Sequence, residues 1–294
     1  MLRILSAVVL TCGAASPAAD VVSLFEQKLA AKIKAVDDSL DGVLGVATID
    51  VTTGRTFDYN ADAVFPTASS IKIPIMIQLF REERAGKFHF DDKVTLGSKD
   101  NAGGSTGPLQ SALDKGAVTL TIRDLLEDMI QYSDNSATNR LIDVVGMDRV
   151  NNLIRELGMT QTRLRRKMMD TAAAKRGDEN VSTPREMVGF VDAIRTHKAA
   201  DGASCEEMLR VMKKVDAYMR PVIPANVEVA SKPGDLDGVR TETGLVFLPG
   251  RPFIVSVMST FLNDRVNPVG QVTGIVFDFF EKLAHANAYG RRLD

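Results

Sequence analysis

Ser69-Ser70-Ile71-Lys72-Ile73-Pro74-Ile75-Met76 is the stretch on which the reading of this chain turns. It carries the one S-x-x-K of the sequence and opens a segment whose spacing predicts a helix over residues 69–84. Residues three apart share a helix face, so Lys72 can reach the Ser69 hydroxyl. A helix start also leaves backbone N–H groups free and presents a positive dipole end, and both favour a developing oxyanion. A lysine beside other cations in a dry cleft has its charged form disfavoured and can act as a general base. Taken alone, the motif reads as readily as a solvated lysine on an amphipathic helix.

Outward from this stretch the pattern changes character twice. On the N-terminal side, Phe25, Leu29, Ile33, Val36 and Leu40 recur at three or four residues, giving one apolar helical stripe that Asp41-Gly42 ends. Residues 43–51 and 56–59 then read as a hairpin about Thr52-Thr53-Gly54-Arg55. From Pro66 onward helices and loops take over. Residues 121–132 place Leu125, Leu126, Met129 and Ile130 on one side, and 139–157 continue alike. Thr183-Pro184-Arg185-Glu186 is a helix start with a threonine cap, proline at the first position and a capping-box glutamate. Strands return at 227–231, 244–248 and 253–259, and a closing helix over 268–286 aligns Val272, Ile275, Val276, Phe279 and Leu283. This order predicts an α/β (α+β) architecture. Strands from both ends form one sheet that carries the terminal helices (20–66 and 215–294), residues 67–214 form a helical lobe, and a site lies in the cleft between them.

Composition narrows the chemistry. The 294 residues are 45% apolar and 25% charged, ordinary values for a globular chain. Thirty-six Lys and Arg against 38 Asp and Glu give a net charge of −2 without a basic block, so nucleic acid is not an expected partner. Two cysteines, Cys12 and Cys205, and three scattered histidines, His89, His197 and His285, offer no metal-ligand spacing, so neither metal nor cofactor is expected. Met1-Leu2-Arg3, an apolar run to Cys12 and the small residues Ala14 to Ala19 have the layout of a signal peptide cleaved near Ala18 or Ala19, implying a secreted or periplasmic protein. That run is too short to span a bilayer, and Thr11 before Cys12 fits a lipid anchor poorly. A monomer is the default expectation.

Three further elements bear on function. Gly103-Gly104-Ser105-Thr106-Gly107 matches the nucleophile-elbow pattern, but it lacks the preceding strand and is followed by Pro108, so it reads as a cleft-rim loop. Ser133-Asp134-Asn135 brings a hydroxyl and a carboxamide into a polar turn after a helix. Lys232-Pro233-Gly234 ends a strand, where glycine allows close approach to the backbone. K-x-G alone is uninformative, since Lys175-Arg176-Gly177 repeats it. The order of the three motifs and their placement on helix, loop and strand are informative together.

With these motifs in place, the chain beyond residue 19 resembles the class A β-lactamases and their serine-hydrolase relatives. The resemblance implies that Ser69 is the acylated nucleophile, Lys72 its proton acceptor and Ser133 a proton shuttle to the leaving nitrogen. Asn135 would hold the substrate's side-chain amide and Lys232 its carboxylate. The N–H groups of Ser69 and Asp235, beside Gly234, would form the oxyanion hole. The substrate would be a small β-lactam. A D,D-peptidase or esterase acting on peptidoglycan peptides or esters, and a non-catalytic wall-binding relative, are the alternatives. Two positions depart from the family. Pro233 replaces a hydroxyl residue that would bind the carboxylate, and Arg240 and Thr241 are the candidates to offset that loss. In the loop that begins Leu164-Arg165-Arg166, the position of the deacylating glutamate falls on Met168, and Ala172 stands where an asparagine is usual. Asp170 or Glu179 replaces that base only if the loop runs differently.

Overall fold

The structure, a computed structural model, describes residues 20–293 apart from Thr106 and Asp264. The proposed leader, with Cys12, Ala18 and Ala19, lies outside the described residues. Helix α1 (Val21–Asp37) leads into strands β1 (Val43–Asp50), β2 (Thr56–Tyr59) and β3 (Phe65–Pro66). Helix α2 (Lys72–Arg84), strand β4 (Lys93–Leu96), helix α3 (Pro108–Leu113), strand β5 (Val118–Thr121) and helices α4 (Ile122–Gln131), α5 (Asn135–Val145), α6 (Met147–Glu156) and α7 (Thr171–Lys175) follow. Strand β6 (Val181–Ser182) and helices α8 (Pro184–Arg195) and α9 (Gly202–Met212) lead to strands β7 (Val229–Leu236), β8 (Val239–Val246) and β9 (Phe253–Thr260) and to helix α10 (Val269–Ala284).

One antiparallel five-stranded sheet, ordered β2-β1-β9-β8-β7, joins the strands from both ends of the sequence. Alternation along each strand divides the apolar residues between two cores. On one face Leu44, Val46, Val246, Val255 and Val257 pack with Ile33, Val272 and Phe280 from α1 and α10. On the other, Ala47, Ala230, Leu245, Ile254 and Met258 pack with α2 and the helical block, with α8 lying directly on β1 and β9. At the sheet edge, β7 tolerates Pro233 because an outward position needs no ladder N–H.

The structure amends several expected boundaries. The helix expected from Ser69 begins instead as a 3-10 turn over Ala68–Ile71, which passes into α2 at Lys72. The continuous helix expected over 139–157 is two helices, because Gly146 adopts a φ of 78° that other residues rarely take. Two small ladders, β3–β6 and β4–β5, stand within the region read as helices and loops. They are short and escape a periodicity reading that depends on longer runs. At the start of α8, Thr183 accepts from the Glu186 N–H at 3.1 Å, but Glu186 does not close a capping box. Its buried carboxylate turns to the 160–162 turn, accepting from the N–H groups of Thr160, Gln161 and Thr162 at 2.6, 2.8 and 2.7 Å.

Glu186→Ala would strand the buried Thr162 N–H, whereas Thr160 and Gln161 are exposed and can turn to water. An unsatisfied buried donor costs about 1–3 kcal/mol, and that is the expected loss, read as a lower urea midpoint with an unchanged slope. A loss below about 1 kcal/mol would show that water replaces the carboxylate freely.

Candidate active site

Thr67 anchors the turn that carries Ser69. Its N–H donates to the Asn180 carbonyl at 2.9 Å, and Ala68, the first residue of the 3-10 turn, has a φ of 46°. The Ser69 side chain is half-buried, at the junction of this turn with the edge strand. Gly234 explains how closely the strand approaches: a β-carbon there would lie 2.5 Å from the Thr67 carbonyl oxygen and 2.9 Å from the Ser69 nitrogen. The close approach to the backbone expected at this glycine is made by the protein's own turn over Thr67–Ser69.

Lys72, at the start of α2, is fully buried. Its Nζ donates to the Ser133 carbonyl at 2.7 Å, to Ser133 Oγ at 3.1 Å and to Asn135 Oδ1 at 3.2 Å. The three donors of an ammonium thus meet three acceptors on the 133–135 turn. Ser69, toward which the three-residue spacing pointed, is not among these partners. The reason is that buried charge must be satisfied, and the turn offers a carbonyl, a hydroxyl and an amide oxygen at once. Ser133 adopts a φ of 56°, and Asp134 caps α5 by accepting from the Ala137 N–H at 2.8 Å. Lys232 approaches from β7, with Nζ 3.0 Å from Ser133 Oγ and 3.1 Å from the Pro233 carbonyl. Ser133 Oγ therefore sits between two buried amines.

Their electrostatics follow from burial. Loss of solvent, and secondarily the charge of Lys232, hold Lys72 well below the ordinary lysine range, while Asp134 acts in the opposite direction. Burial also lowers Lys232 to about 7, with the Glu242 carboxylate pulling it back up. Glu242, behind it on β8, is raised to about 7 by its own burial and accepts from Ser231 Oγ at 2.6 Å and the Met219 N–H at 2.9 Å.

Asn135 is held by the glycine-rich loop. Its N–H donates to Ser105 Oγ at 2.8 Å and its Nδ2 to the Gly103 carbonyl at 3.1 Å. Ser105 thus orders the rim of the site from a loop that has no strand before it.

The structure does not bring the candidate deacylation residues into this cluster. Arg166 and Glu179 close the neck of loop 165–180 through paired contacts of 3.0 and 3.1 Å, so Glu179 is committed to an ion pair. Asp170 is exposed and caps α7, accepting from the Ala173 N–H at 2.9 Å. Met168 is buried in the core facing α5, gripped by Asn139, whose Oδ1 accepts the Met168 N–H at 2.7 Å and whose Nδ2 donates to its carbonyl at 3.1 Å. No carboxylate occupies the position of Met168. Thr241 is fully buried and bonded to Ser70 Oγ and the Thr67 carbonyl, which removes it as a carboxylate ligand. Arg240 pairs with Asp235 at 3.1 Å. Tyr218, which the sequence reading missed, donates its hydroxyl to Asp235. It sits in a segment with neither motif nor periodicity.

The fold, with a half-buried serine on a tight turn and two buried lysines that share the hydroxyl of a second serine, is of the class A active-site-serine hydrolase type. The sequence profile described as the β-lactamase enzyme family matches residues 28–280, and the chain belongs to that family. It is similar to β-lactamase SME-1 of Serratia marcescens, 28% identical over 79% of this chain and 80% of that one. It is similar also to β-lactamase PSE-4 of Pseudomonas aeruginosa, 26% identical over 86% and 91%. The crystal structure of a β-lactamase from Sphaerobacter thermophilus DSM 20745 superposes with a TM-score of 0.78 at 31% identity, covering 88% of this chain and 97% of that one.

The lowered basicity of Lys232 has a measurable consequence. Its folded value of about 7 lies below the unfolded 10.5, so between those values the unfolded chain holds the additional proton and stability rises with pH. Relative to Lys232→Met, the wild type should therefore gain stability between pH 7 and pH 9.5, read from paired denaturant midpoints. A constant difference would mean that Lys232 keeps its solution basicity.

Proposed function

We propose that this protein opens a β-lactam amide through an acyl-enzyme on Ser69 and releases the acyl group slowly. In the first step Ser69 Oγ forms a bond to the lactam carbonyl carbon, and its proton passes to neutral Lys72, whose burial favours the uncharged amine. The N–H groups of Ser69 and Asp235 hold the oxyanion. As the C–N bond breaks, the leaving nitrogen takes a proton through Ser133 Oγ, which the two lysines contact at 3.1 and 3.0 Å. The second step needs water to attack the ester. The observation that carries the slow release is Met168: a thioether in the position that would hold a base, with Asp170 and Glu179 both committed elsewhere. Each 1.36 kcal/mol added to that barrier slows it about tenfold.

The same deficit supports a second reading, a peptidase or esterase of this fold that acts on peptidoglycan peptides or simple esters and that β-lactams trap. The leader-like residues 1–19 support a secreted or periplasmic protein, and an activity directed at β-lactams would contribute to antibiotic resistance there.

Mixing with excess chromogenic cephalosporin should give a burst of about one product per enzyme followed by a slow linear phase, with a mass adduct that Ser69→Ala abolishes and Ser105→Ala retains. Rapid turnover with neither burst nor adduct would exclude rate-limiting deacylation. Lys72→Met should slow the burst by about 10²–10⁴-fold, the usual contribution of a general base, with little change in initial binding. A change confined to binding would remove Lys72 from the proton transfer.

A further inference from the structure

Met169 is the one exposed methionine among the described residues, and its backbone is held on both sides. Asn139 grips the N–H and carbonyl of Met168, and the Met169 carbonyl accepts from the Thr171 N–H at 2.9 Å at the start of α7. Between these anchors Met169 adopts a φ of 61°, a left-handed conformation that few residues other than glycine take. Such a conformation costs free energy, persists only where the surroundings enforce it, and collects at ligand clamps and switch segments.

The side chain crosses to the glycine-rich loop. At Gly104, which has a φ of 68°, an added β-carbon would lie 3.0 Å from both Sδ and Cε of Met169 and 3.3 Å from Asn135 Nδ2. The thioether tip therefore rests on the Gly104 backbone, and the Asn135 amide lies against the same glycine. Asn135 Oδ1 accepts from Lys72 Nζ at 3.2 Å, and its Nδ2 donates to the Gly103 carbonyl at 3.1 Å. Contacts thus lead without a break from Lys72 through Asn135 and Gly104 to Met169, which joins loop 165–180 to the glycine-rich loop. Asn135 is buried and Met169 is exposed, so this bridge covers the Asn135 end of the site from outside.

The geometry points to Met169 as a specificity-determining residue: its thioether, latched on Gly104, hinders acyl groups that are bulky next to the side-chain amide and admits slender ones. This selection rests on the acyl-enzyme chemistry proposed above and narrows its substrate class. A methionine side chain is unbranched and adaptable, so the latch discriminates by rate and does not exclude bulky groups outright.

Benzylpenicillin and nafcillin share the penam nucleus and its carboxylate. They differ in the acyl group, which places a methylene next to the amide carbonyl in the first and a substituted naphthalene ring there in the second. The wild type should be acylated faster by benzylpenicillin, with second-order constants measured by stopped flow and intact mass. The expected ratio is about tenfold or more, since a misfit of one methylene in a closed apolar pocket already costs about tenfold. Met169→Ala should bring the ratio down toward unity by speeding nafcillin, and Met169→Leu, which keeps the bulk, should preserve it. A wild type that takes both compounds equally fast, or a ratio that Met169→Ala leaves unchanged, would overturn the inference while leaving the acylation chemistry in place. Failure of both compounds to acylate Ser69 would instead overturn the function proposed above, and the selection with it. The wild-type ratio decides the matter even if the variants fold poorly.

Discussion

Two lysine side chains, neither with access to solvent, converge on the hydroxyl of Ser133. Removing an ammonium from water costs several kcal/mol, and placing two together adds repulsion. The fold meets that cost with a dense set of acceptors: the Ser133 carbonyl, Asn135 Oδ1 and the Pro233 carbonyl. What it does not recover appears as lowered basicity at both lysines, which is the property a general base requires. The constraint reaches far into the chain, because the acceptors come from the 133–135 turn and β7 while one lysine comes from α2. The left-handed backbone at Ser133, the capping of α5 by Asp134 and the glycine-rich loop over Asn135 all hold those acceptors in position.

The turn carrying Ser69 is fixed by a second set of contacts, and these tie it to loop 165–180. The Asn180 carbonyl receives the Thr67 N–H, while the Asn180 side chain accepts from the N–H groups of Arg165 and Arg166 at 2.8 and 3.1 Å. One asparagine therefore links the turn carrying Ser69 to the neck of the loop that bears Met168. That loop is well built, with an ion pair at its base and Asn139 gripping its backbone. Its methionine is thus an ordered part of the core and not the residue of a collapsed segment.

The long, periodic elements and the candidate site residues were legible in the sequence. Apolar periodicity located the terminal helices and most strands, because each must bury one face. The S-x-x-K, Ser133-Asp134-Asn135 and Lys232-Pro233-Gly234 motifs marked residues that the structure brings together around Ser133 and the turn carrying Ser69. Local pattern was silent on matters decided by partners far along the chain. Lys72 turns to Ser133 and Asn135 because buried charge seeks the richest set of acceptors, not the nearest hydroxyl in sequence. Glu186 leaves its capping box for the N–H groups of residues 160–162, Thr241 is consumed by Ser70, and Tyr218 and Arg240 fix Asp235. Each of these choices is a competition for hydrogen-bond partners in a low-dielectric interior, and only the tertiary arrangement says which partners are within reach.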